Sequence, residues 1–185
     1  MSAQYIIIPL SPHQRALYAH AIDLFRKRNA PGALTPFRNH LELLHYLRLI
    51  CTDPRRHGME AFRLEPLAEY RDKAPKPRWL LDTLATIRNR AEKVIIFCEF
   101  RVIQRLLKCY IEQVFGFSPD IINGDTSASA KAADNRQKRI KAFQAKPGFG
   151  AIILELYDQP RLAQLLTEHP VRLTEIERFL YTTWE

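Results

Sequence analysis

Apolar residues fall along this chain in two rhythms. From Val94 to Phe97 they are continuous, the pattern of a strand covered on both faces. Just downstream, Val102, Ile103, Leu106, Leu107 and Tyr110 recur at the spacing of one helix face. A short apolar pair, Ile121 and Ile122, then runs into a polar turn from Asn123 to Ser127 that contains Gly124. A basic helix over 130–145 and a third apolar strand, Gly150 to Leu154, complete a β-α-β-α-β succession. Alternation of this kind predicts an α/β fold with a parallel sheet.

The flanking segments predict helices. Ser11 and Pro12 suit a helix start, and Ala16, Leu17, Ala21, Leu24 and Phe25 give a stripe that ends before Asn29 to Gly32. A second helix is expected from Thr35 to about Cys51, with Leu41, Leu44, His45, Leu47, Leu49 and Ile50 on its apolar side. On that face His45 reads as a packed core histidine rather than a ligand. Tyr5 to Ile8 reads as a short strand. Prolines crowd residues 53–77, which predicts a loop-rich, protease-sensitive hinge. A helix over Pro77 to Asn89 would turn Trp79, Leu80, Leu84 and Ile87 inward. Past Leu154, Leu162, Leu165 and Leu166 suggest one short helix, and Leu173, Ile176, Phe179 and Leu180 another; such a tail would cover a sheet edge. The expected domains are a helical appendage over 1–75, an α/β lobe over 76–154 and a helical tail over 155–185.

At 185 residues and 46% hydrophobic content, the chain suits one domain, or one lobe with an appendage. No apolar run approaches the roughly 20 residues of a membrane span. The N-terminus lacks the charged and apolar regions of a signal peptide. A cytoplasmic (nucleoid) or nuclear location is the expectation, with no membrane partner. The three cysteines, Cys51, Cys98 and Cys109, form no ligand pair, so no metal site is expected. A net charge of +8 favours an anionic partner. The charge is clustered at Arg26 to Arg28, between Arg55 and Arg78, and along the helix carrying Lys131, Arg136, Lys138, Arg139 and Lys141.

Five segments carry a family resemblance. They are Ile8 to Tyr18, Leu47 to Pro54, Lys76 to Leu84, the run Lys93 to Phe100, and Asn123 to Ser127 followed by the helix ending Arg139 to Phe143. In this order they resemble the linker and the first half of the second RecA-like lobe of the Swi/Snf-type helicase-like ATPases. The resemblance implies a partial RecA-like lobe, preceded by a helical appendage and followed by short C-terminal helices. It also implies that the turn after the first strand and the Asn123 turn contact double-stranded DNA through its phosphates. That nominates Arg101, Gly124, Thr126, Ser127 and Arg139 as DNA-binding residues. Arg and hydroxyl groups suit backbone contact without base readout. On the residues alone, Thr126 or Ser127 is equally a helix cap.

The intact family uses ATP and Mg²⁺. This chain carries neither a phosphate loop, since none of its glycines precedes a lysine, nor an Asp-Glu-x-His motif. The arginine helix of the family's second lobe is missing too, and the resemblance stops near Leu154, where Glu155 stands in place of a Gly-rich turn. The expected function is thus a fragment of a DNA-dependent ATPase or translocase that contributes weak backbone contacts. By itself it has no catalytic residue, no cofactor and no competence for hydrolysis. Its expected partners are duplex DNA and a polypeptide carrying the first ATPase lobe. The alternatives are a non-catalytic DNA- or protein-interaction module, and a decayed remnant.

Overall fold

A hydroxyl and an amide organise the N-terminal helices. Ser11 Oγ accepts from the Gln14 backbone N–H at 3.1 Å, and the Gln14 side chain accepts from Ser11 N–H at 3.0 Å. This reciprocal box starts α1 (Pro12–Arg26), with proline at the first helical position. The same two side chains then reach outward. Gln14 Nε2 donates to the Ile50 carbonyl at 2.8 Å, at the end of α2 (His40–Ile50). Ser11 Oγ donates to the Lys73 carbonyl at 2.7 Å, at the end of α3 (Leu67–Lys73). One capping box therefore satisfies terminal carbonyls of two other helices, groups that would otherwise be orphaned. A computed structural model describes residues 6–32, 34–55, 64–124, 126, 136–155 and 173–176.

The chain divides into two units, one ending at Trp79 and the other beginning at Leu80. The first unit packs Ala21 and Phe25 of α1 on Leu43, Tyr46, Leu47 and Ile50 of α2, with Phe37 between them. Phe37 and Tyr46 have ring centroids 5.4 Å apart. Three expectations for this unit change. The segment from Thr35 to Phe37 is not a helix start: Thr35 Oγ1 accepts from Phe37 N–H, and the helix begins after Asn39, whose side chain accepts from Glu42 N–H at 2.9 Å. The helix packs its Leu43, Tyr46, Leu47 and Ile50 face inward, so His45 is exposed rather than packed, and Leu41 and Leu44 are 76% and 45% exposed. Ile6 to Ile8 form no strand.

The proline-rich stretch holds more helix than its loop signals suggest. α3 has only seven residues, too short to persist alone. Tyr70, 3% exposed, and the bond from Ser11 hold it in place. After Ala74 the chain re-enters helix as α4 (Pro75–Asn89), two residues earlier than Pro77.

The second unit is a parallel sheet of four strands in the order β2-β3-β1-β4. These are β1 (Lys93–Phe97), β2 (Asp120–Ile122), β3 (Gly150–Leu154) and β4 (Leu173–Ile176). Val94 to Phe97 are all 4% exposed or less, so both faces of β1 are covered, as its unbroken apolar run requires. Ile95, Phe97, Ile122, Ile152 and Leu154 form one core with Ile140 and Phe143 of α6 (Arg136–Ala145). Lys93 Nζ donates to the Gln144 carbonyl, a cation placed on the C-terminal turn of α6. α5 (Arg101–Phe115) joins β1 to β2 and buries Ile103, Leu106, Leu107, Tyr110 and Ile111. It ends on Gly116, whose φ of 76° is the left-handed cap that glycine takes without strain.

The predicted α/β class and β-α-β-α-β order are present. The tail departs from expectation. Leu173–Ile176 is a strand paired in parallel with Lys93–Ile96, not a helix. Leu173 and Ile176 satisfy helical spacing, but the exposed edge of β1 offers unpaired backbone groups that a strand satisfies. The helix expected around Leu162 to Leu166 lies outside the described residues. Among the described residues no helix is long and apolar enough to cross a membrane.

Asp53, 1% exposed, gives the first unit a pH dependence. Burial pushes its carboxyl up from 3.8 to about 6, and the nearby Arg55 and Tyr70 only partly oppose the rise. The fold thus binds this proton more tightly than the unfolded chain does. Its stabilising effect is complete below about pH 4 and is lost as pH rises through about 6. Asp53→Asn is expected to stabilise the protein at pH 7.5 and to be nearly neutral at pH 4. A shift of about two pKa units bounds the difference at about 3 kcal/mol. Chemical unfolding of both proteins at the two pH values checks this; an equal effect at both would contradict it.

Candidate nucleic-acid interface

Parallel strands end on one edge of their sheet, so the segments after β1, β2 and β3 meet there. Cys98 extends β1 by one rung, its N–H donating to the Leu154 carbonyl at 2.9 Å. Phe100 is extended and caps α5, which leaves Arg101 as the first helical residue, exposed at this edge. After β2 the chain folds into a tight turn. Thr126 N–H donates to the Asn123 carbonyl at 2.9 Å, and Asn123 N–H donates to Thr126 Oγ1 at 3.2 Å. After β3, Glu155 N–H donates to the Ile122 carbonyl at 3.0 Å.

Gln104 joins these segments. It is fully buried (0% exposed) within α5. Its Nε2 donates to the Cys98 carbonyl at 2.7 Å, and its Oε1 accepts from Asn123 Nδ2 at 2.9 Å. One side chain thus ties the end of β1 to the turn after β2. Two arginines of α6 also hold the end of β2 and that turn. Arg136 donates through Nη2 to the Asn123 carbonyl and through Nε to the Thr126 carbonyl, both at 3.1 Å. Arg139 Nη1 donates to the Ile121 carbonyl at 3.2 Å.

The nominated residues therefore separate by position. Arg101 and Gly124 come together: a Cβ built on Gly124 would lie 3.0 Å from Arg101 Nη2. Thr126 is at the same turn with its hydroxyl engaged by the Asn123 N–H, and Arg139 is half-buried against the strand end. Ser127 lies outside the described residues, as does Lys131. Cys98 is no nucleophile: burial pushes its thiol up to about 12.

Sequence reading missed Gln104, the bracing role of Arg136, and Glu155 as a member of this edge. Gln104 did leave a signal. It shares a helix face with Leu107 and Ile111, and a polar residue in a buried stripe must find partners. The arginines of α6 gave none, because a basic helix looks alike whether its cations face solvent or cap carbonyls.

Gln104→Leu keeps the volume but removes both bonds. The loss is expected to be about 1–3 kcal/mol, the cost of stripping buried polar groups of a partner. Replacing the exposed neighbour Arg105 with Ala is expected to change stability by no more than about 0.5 kcal/mol. Urea unfolding of the two variants checks this; equal effects would mean that the Gln104 bridge holds nothing.

No family model matches the chain. By sequence it is 41% identical over 150 residues to the Zorya protein ZorD of Escherichia coli O139:H28 (strain E24377A / ETEC). That match takes in 80% of this chain and spans 13% of ZorD. By fold it is similar to the C-terminal domain of a Sulfolobus solfataricus SWI2/SNF2 ATPase, with a TM-score of 0.60 and 20% identity, over 81% of this chain and 61% of that one. It is also similar to the core of the Sulfolobus solfataricus enzyme in complex with double-stranded DNA. There the TM-score is 0.59 at 20% identity, over 80% of this chain and 29% of that one. By fold the chain is therefore similar to the C-terminal lobe of SWI2/SNF2-type ATPases, and by sequence it is similar to a part of ZorD.

Proposed function

We propose that this chain supplies a DNA-backbone contact to a SWI2/SNF2-type ATPase and does not hydrolyse ATP by itself. The observation that carries the proposal is the convergence of Arg101 and the Gly124 turn at the carboxyl edge of the sheet. In open α/β sheets ligands bind outside this edge. A guanidinium beside a glycine backbone, with no Cβ between them, suits a phosphate oxygen and reads no base. Arg101 and Gly124 make the contact. Thr126 and Arg139 set the shape of the turn, and Ser127, the next residue in the sequence, is a further candidate. The net charge of +8 adds long-range attraction for a polyanion. The likeness to a fold solved in complex with double-stranded DNA supports duplex as the ligand.

In this reading the chemistry of ATP belongs to groups outside this chain. Mg²⁺ and nucleotide phosphates need a phosphate loop and acidic ligands, and no glycine here is followed by lysine. The partner is a polypeptide that carries the first lobe, and the two together form the motor.

Purified chain is expected to bind duplex DNA with a dissociation constant in roughly the 10⁻⁴ to 10⁻⁶ M range of non-specific contacts. Arg101→Ala is expected to weaken binding to all sequences alike and to make the salt dependence shallower by about one unit. Salt titrations by fluorescence anisotropy check both. An unchanged slope would place the contact elsewhere, for instance on Arg26 to Arg28. ATP turnover by the chain alone, stimulated by DNA, would contradict the division of labour.

A further inference from the structure

Glu155 stands where the proposed contact would have to form. Its backbone is fixed, because its N–H donates to the Ile122 carbonyl at 3.0 Å and so continues β3 alongside β2. From there its side chain turns to the Asn123 turn, and Oε2 accepts from the Gly124 N–H at 2.8 Å. The point that a Gly124 Cβ would occupy lies 3.6 Å from this oxygen and 3.0 Å from Arg101 Nη2. A guanidinium and a carboxylate thus converge on one glycine.

We propose that Glu155 is an internal stand-in for a DNA phosphate, which competes with the duplex for the Gly124 N–H and for Arg101. The inference deepens the DNA-backbone reading and rests on it. A carboxylate oxygen that accepts from a backbone N–H beside a guanidinium makes the same bonds that a phosphodiester oxygen makes. Two anions cannot both take the one Gly124 hydrogen. A phosphate arriving at this edge must displace the Glu155 side chain or be repelled by it. The occupied edge is therefore restrained: it engages the backbone weakly until the carboxylate moves aside. A side chain at Gly124 would be tight against Arg101, whose guanidinium would have to give way by a few tenths of an ångström.

The test uses the full chain in four forms: wild type, Glu155→Gln, Arg101→Ala and the double variant. Glu155→Gln keeps shape and removes charge. Glu155→Gln is expected to bind duplex DNA tighter by on the order of fivefold at low salt, about the effect of one nearby surface charge. Its salt dependence is expected to be steeper by about one unit, as one more phosphate is neutralised. In the Arg101→Ala background the gain is expected to shrink, because only the Gly124 N–H is then left to release. A gain undiminished there reflects net charge alone and overturns the proposal. Wild-type binding that depends on Arg101, with no change in Glu155→Gln, also overturns it and leaves the DNA reading standing. If neither wild type nor Glu155→Gln binds at low salt, the DNA reading fails and this inference with it. A second measurement needs no DNA. Hydrogen exchange of the Gly124 amide is expected to quicken in Glu155→Ala, and an unchanged rate would show that the carboxylate does not hold that N–H.

Discussion

The carboxyl edge of the sheet depends on one buried amide. Gln104 reaches the Cys98 carbonyl with its nitrogen and the Asn123 side chain with its oxygen, at zero exposure. A buried amide satisfied at both ends is stiff, because each alternative arrangement leaves a polar group unpaired. The two segments it joins are 25 residues apart in sequence, from Cys98 to Asn123. The sheet already brings Arg101 and Gly124 to one end, since β1 and β2 both pair with β3, and the bridge adds a direct tie between their segments.

The support for that surface is redundant in a revealing way. Arg136 and Arg139 spend their donors on carbonyls of Ile121, Asn123 and Thr126. Cations on a basic helix are thereby used to hold backbone, which lowers the number available to an external phosphate. Glu155 subtracts further positive potential at the same place. On the proposed reading, an edge that receives an anion is partly neutralised from within, which fits weak, sequence-independent contact better than tight binding.

Much of the lobe was legible because its signals are local. Val94 to Phe97 and Ile152 to Leu154 are continuous apolar runs, and such runs need cover on both faces. The face of α5 followed from Ile103, Leu106, Leu107 and Tyr110. Where reading failed, a distant partner decided the outcome. α2 packs Leu43, Tyr46, Leu47 and Ile50 on Ala21 and Phe25 of α1, and that leaves His45 and Leu44 on the surface. Leu173–Ile176 became a strand because β1 offered an open edge. At the candidate site, Arg101 and Gly124 were nominated by resemblance, and the structure sets them side by side. Gln104 and Glu155 were not nominated, since their roles exist only once β1, β2 and β3 lie side by side.

The most direct measurement is a map of backbone amide shifts in isotope-labelled protein as a short DNA duplex is added. Shifts concentrated at Cys98 to Arg101 and at Asn123 to Thr126 are the predicted result, with Glu155 moving together with Gly124. A response confined to the basic segment around Arg26 to Arg28, with the carboxyl edge of the sheet silent, would contradict the account.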